Sequence, residues 1–109
     1  MKQIGIWMIS VVCFVAISTA MADEGETIFK SQGCRLCHKK ESKSKVNPSL
    51  TEISQAYQGK EAQLIQYLQG NAEAIVRPEK ANLMKRHLEK TKKLSDADLK
   101  SLAGYLLNP

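Results

Sequence analysis

The chain has 109 residues, room for one ordinary domain. It carries 16 Lys and Arg against 11 Asp and Glu, with 6% aromatic residues. That mildly basic, mixed balance lacks the basic–aromatic interleaving of a single-strand binder, so nucleic acid is excluded as an expected partner.

Residues 1–22 have the three-part plan of a secretory signal peptide. Lys2 supplies the positive start, Ile4 to Ser18 is an almost uncharged apolar run, and Ala20-Met21-Ala22 offers small residues before the polar Asp23-Glu24. The competing reading is an uncleaved anchor, for which the run is short against the ~20 residues of a bilayer span. Cys13 follows Val11-Val12 rather than the small residues of a lipoprotein site, and is read as apolar filler. Cleavage after Ala22 leaves 23–109 as one mature domain, expected outside the cytoplasm with no stable membrane insertion. A domain this small often needs covalent or cofactor support.

No strand alternation appears in 23–109, so the expected fold class is all-α. Glu24 to Gln32 reads as the first helix, with acidic residues in its first turn and Gly33 as its stop. Lys39 to Lys45 is a charged, serine-containing loop. Pro48 is expected to open the next helix, in which Leu50, Ile53 and Tyr57 recur at helical spacing before Gly59 breaks it. Glu61 to Gln69 is a third helix, with Leu64, Ile65 and Leu68 on one face and Gly70 as its end. Ala72 to Val76 is expected to add a short helical turn before Arg77-Pro78. Glu79 to Lys93 is a basic connection whose structure the pattern leaves open. The last helix is the clearest: Ser95 and Asp98 form a capping box ahead of an apolar face of Leu99, Leu102, Ala103, Leu106 and Leu107.

The chemistry centres on Cys34-Arg35-Leu36-Cys37-His38. Cys-x-x-Cys-His is the attachment pattern of c-type haem. Two thiols with two residues between them reach the two vinyl groups of one porphyrin and add as thioethers, and the next residue, His38, offers an imidazole nitrogen to the iron. Three other readings compete. A thioredoxin-like pair normally opens a helix after a strand. A zinc site needs four ligands, and Cys34, Cys37, His38 and His87 are the ones available, with adjacent residues awkward for a tetrahedron. A bare disulfide would close only a tiny loop and would leave His38 unexplained.

A low-spin carrier needs a sixth ligand. Met84 is the one methionine outside the signal segment, and a neutral thioether favours Fe(II) and raises the potential relative to a second histidine. Core filler is the other use of a lone Met, but Asn82, Lys85 and Arg86 around it are a poor core setting. His87 is the competing ligand, with a solvated surface position as its preferred reading.

At these residues the chain resembles the monohaem class I cytochromes c, above all the small bacterial c-551/c-552/c-555 group of respiratory carriers. Gly25, Phe29, Gly33 and the attachment pattern match that family's first helix and haem site, and Asn47-Pro48-Ser49-Leu50 resembles its Pro-x-Leu step. The resemblance covers essentially all of 23–109. It implies short helices wrapped around one covalently bound haem c, with Cys34 and Cys37 as anchors and His38 and Met84 as iron ligands. It also implies a Pro48 carbonyl that accepts the second N–H of His38, fixing the ring. The terminal helix would cross the first near a small residue and an aromatic pair. The implied role is that of a monomeric, periplasmic single-electron carrier, not an enzyme. Its redox partners would be a membrane cytochrome complex, a terminal oxidase or a periplasmic oxidoreductase. A haem sensor or small haem enzyme with a labile sixth ligand is the alternative.

Two departures stand out. Lys85 to Lys93 separates Met84 from the last helix, as in the c-555 subgroup. The family's tryptophan near the propionates has no counterpart, since Trp7 lies in the signal; Arg77 or Tyr57 is left for that contact, or for the surface. Lys39, Lys40, Lys43 and Lys45 read either as a solvated loop or as a ring around an exposed haem edge that steers acidic partners.

Overall fold

A computed structural model describes residues 15–109, with side chains from Asp23 onward. The expected signal segment, 1–22, lies outside the described residues apart from the backbone of 15–22. The described residues form five α-helices and no strand: α1 (Val15–Ser31), α2 (Leu50–Ala56), α3 (Glu61–Leu68), α4 (Lys85–Thr91) and α5 (Asp96–Leu107). Short 3-10 segments cover Cys34–Leu36 and Pro78–Met84. None of these helices is long and apolar enough to cross a membrane.

The caps decide the boundaries. α1 begins upstream of the expected Glu24 and ends where Gly33 takes the left-handed φ of 77°. Pro48 does not open α2. Ser49 is the cap, in an extended conformation, and its hydroxyl accepts the Glu52 N–H at 3.1 Å. α3 closes through Gly70 at φ 79°, with the Asn71 N–H bonded to the Gln66 carbonyl at 2.8 Å and the Gly70 N–H to Tyr67 at 2.9 Å. In α5 the Ser95 hydroxyl accepts the Asp98 N–H at 3.1 Å, the N-cap half of the expected capping box.

Ala72–Val76 forms no helical turn. Ile75 and Val76 are β-branched, and the residue before a proline avoids the α region. Arg77 instead turns left-handed, at φ 52°. Pro78 then starts a 3-10 segment that runs directly into α4.

α1 and α5 make the most extensive helix pair, and α5 also packs on α2 and α3. The core joins Ile28 and Phe29 of α1, Leu50 and Ile53 of α2, Leu64 and Leu68 of α3, and Leu99, Leu102, Ala103 and Leu106 of α5. Phe29 and Tyr105 meet at the α1–α5 crossing with ring centroids 5.2 Å apart and planes tilted by 51°. Gly25 permits that approach. A Cβ there would overlap the Ser101 carbonyl oxygen and lie 2.8 Å from Tyr105 Cβ. Helix backbone cannot move aside as a side-chain tip can. Gly25→Ala is therefore expected to destabilise the domain by about 2–3 kcal/mol, despite the better helix propensity of Ala. A urea midpoint that fails to fall would show that the crossing has room.

Candidate functional site

The ends of these helices enclose a cavity of about 300 Å³. One wall is Phe29 of α1 with Leu102 and Leu106 of α5, and another is Ile53, Leu64 and Leu68. These residues are apolar because each stands on the inward stripe of its helix, and together they exclude water from whatever fills the space.

Cys34, Cys37, His38 and Met84 all line this one cavity. The left-handed turn at Gly33 ends α1 and swings the Cys34–Leu36 turn to its rim. Cys34 and Cys37 are unpaired thiols, available for thioether formation. Burial raises the Cys34 pKa, with a backbone hydrogen bond and the nearby Lys90 pulling the other way. The thiol is therefore protonated at neutral pH. Among the described residues, no three His, Cys, Asp or Glu side chains gather as a metal-ion cluster, and no strand precedes the Cys pair. Both the zinc and the thioredoxin-like readings lose their structural basis.

His38 is fixed by its neighbour. Its Nδ1 lies 2.8 Å from the Pro48 carbonyl oxygen. A carbonyl can only accept, so Nδ1 carries the proton and Nε2 keeps a free lone pair. The bond between Leu50 N–H and the Lys39 carbonyl, at 2.8 Å, ties the two segments side by side. This donor set fits haem c: two thiols on one rim, one oriented imidazole, one thioether, and apolar walls on either side.

Arg77 braces the polar edge. Its Nη2 donates to both Glu52 carboxylate oxygens at 2.8 and 3.0 Å, and its Nη1 donates to the Ser44 carbonyl at 2.6 Å. These bonds hold a non-glycine residue in the left-handed region, a strain of about 1–2 kcal/mol. Arg77 and Tyr57, the residues expected at the propionates or on the surface, both line the cavity. Tyr57 is buried beside Tyr67, and burial raises the pKa of both hydroxyls, leaving them protonated hydrogen-bond donors.

His87 departs from its expected surface position. It is half-buried and lines the cavity with Met84. Burial lowers its pKa, and the cations Lys90 and Arg86 and the neighbouring His38 push the same way. Its three-residue spacing from Met84 was the available signal, since such residues share a helical face. Nothing in its sequence context marks Gln32 as a site residue. It also lines the cavity, and its Oε1 is buried without a hydrogen-bond partner.

Comparison with known proteins agrees with this geometry. The family described as Cytochrome c matches residues 22–108. Cytochrome c-551 of Stutzerimonas stutzeri is 39% identical over 54 residues, covering 50% of this chain and 51% of that protein. The chain thus spans about half the length of this relative.

Proposed function

Since the chain belongs to the cytochrome c family, with the class I fold and a covalently bound haem c as cofactor, we propose that it is a periplasmic single-electron carrier and not an enzyme. Bound haem supplies the Fe(II)/Fe(III) couple. Cys34 and Cys37 would hold it by thioether bonds, and the His38 Nε2 and the Met84 thioether would be the protein's ligands to its iron. Arg77 and Tyr57 offer N–H and O–H donors to the propionates. The apolar walls keep water from the iron. Residues 1–22 serve as the export signal and 23–109 as the functional domain, a division supported by a family match that begins at residue 22.

One observation carries this reading: the cavity lined by both thiols and the oriented imidazole is also lined by Met84. An imidazole and a thioether together would complete the coordination of a haem iron, which suits electron transfer better than substrate binding. The visible spectrum of the purified protein tests it. A thioether–Fe(III) band at the red end of the ferric spectrum is expected, with little carbon monoxide uptake by the reduced protein. Ready uptake with no such band would instead indicate a sensor or enzyme with a labile sixth ligand.

Lys39, Lys40, Lys43 and Lys45 are exposed on the loop whose Val46, Asn47 and Pro48 line the cavity. Leu36 is 75% exposed on the adjacent turn. An apolar contact framed by cations suits docking to acidic faces of a membrane cytochrome complex, a terminal oxidase or a periplasmic oxidoreductase. Replacing the four lysines by glutamate is expected to slow electron transfer to an anionic metal complex about tenfold at low salt, the difference shrinking as ionic strength rises. Stopped-flow rates that ignore both the charge reversal and the salt would make these lysines an ordinary solvated loop.

A further inference from the structure

α4 presents a second side chain of iron-ligating type, His87, one turn beyond Met84. The backbone is helical at Met84 (φ −89°, ψ −13°) and at Lys85 (φ −52°, ψ −46°). Residues 84 and 87 therefore fall on one face. Both side chains are half-buried, and both line the cavity that His38 lines.

α4 is also lightly held. Thr91 is its one buried residue. Its main packing partner is the 3-10 segment that it continues, in contrast to the long α1–α5 pair. Its anchor to the rest of the fold is at the far end, where Thr91 Oγ1 donates to the Leu68 carbonyl at 2.5 Å. An element with so few buried contacts shifts at low free-energy cost. Carrying residue 87 to the level of residue 84 needs an axial displacement of about 4.5 Å, three residues of helical rise.

We propose that His87 is a reserve sixth ligand. When the Met84 thioether leaves the iron, α4 shifts toward the cavity and the His87 imidazole takes its position. The inference rests on the reading of Met84 as the resident ligand. Thioether ligation favours Fe(II) relative to a second imidazole, so the exchange is favoured in the oxidised protein. Its consequence is a lower potential and an iron that stays closed to small exogenous ligands. Lys80, which also lines the cavity, is the other nitrogen donor near at hand.

The test compares holoprotein forms of the wild type, Met84→Ala, His87→Ala and the double variant. Haem staining and far-UV circular dichroism verify that each is loaded and folded. The wild type and His87→Ala are expected to share the thioether–Fe(III) band. Met84→Ala should lose the band yet remain low-spin. The double variant should become high-spin, and its reduced form should bind carbon monoxide at least tenfold faster than that of Met84→Ala. A high-spin Met84→Ala with an intact wild-type band would overturn the reserve role and leave the Met84 reading standing. A double variant that stays low-spin would also overturn it, pointing to a lysine. A wild type that lacks the band would remove the Met84 reading and this inference together.

Discussion

The double variant Cys34→Ser/Cys37→Ser is expected to carry no covalent haem and to lose most of its helical structure. The first part follows from the chemistry, because a hydroxyl does not add to a vinyl group as a thiol does. The second follows from the size of the cavity. At ~24 cal/mol per Å³, an unfilled cavity of about 300 Å³ costs on the order of 7 kcal/mol. Small domains have about 5–15 kcal/mol of stability in total. Haem held without thioethers would also be free to dissociate. A haem stain on a denaturing gel reads the first loss and far-UV circular dichroism the second. A helical, cooperatively melting protein without haem would mean that the walls of Phe29, Ile53, Leu64 and Leu102 close on one another.

The second large effect is on potential. Met84→Ala removes the soft, neutral thioether, which stabilises Fe(II). A fall on the order of 0.2 V is expected, a fraction of the ~0.8 V range over which axial ligands tune haem iron. The thioether–Fe(III) band should vanish with it. Potentiometric titration of the variant beside the wild type measures the shift. An unchanged potential would return Met84 to the role of core filler.

The parts of the fold visible in the sequence are those governed by local rules. Ser95 and Asp98 cap α5 because a hydroxyl three residues before an amide can satisfy it with no help from elsewhere. Gly33 and Gly70 end helices because they enter the left-handed region without a Cβ penalty. The Cys34–His38 pattern is equally local, and it brought the cofactor with it. Nothing local marks the Pro48 carbonyl as the partner of His38; the family resemblance implies it, and the bond is present.

Features settled by distant partners were not visible. Arg77 turns left-handed with no glycine to announce it, held by Ser44 and Glu52, which are 33 and 25 residues away. Ala72–Val76 stays irregular because that turn and Pro78 follow it. Pro48 suits the first turn of a helix by its fixed φ, but the Ser49 hydroxyl caps α2 one residue later. A solvated surface is the expected place of His87, yet the helical continuity from Met84 turns it into the cavity. No local pattern marks Thr91, because its partner is a carbonyl 23 residues back on α3.

The most direct measurement is a spectroelectrochemical titration of the purified protein, followed through the haem bands. One reversible wave fitting a single-electron Nernst curve is expected, with the iron low-spin in both oxidation states and the curve unmoved by carbon monoxide. A wave that shifts upward under carbon monoxide, or a reduced form that turns high-spin, would contradict a closed, six-coordinate electron carrier.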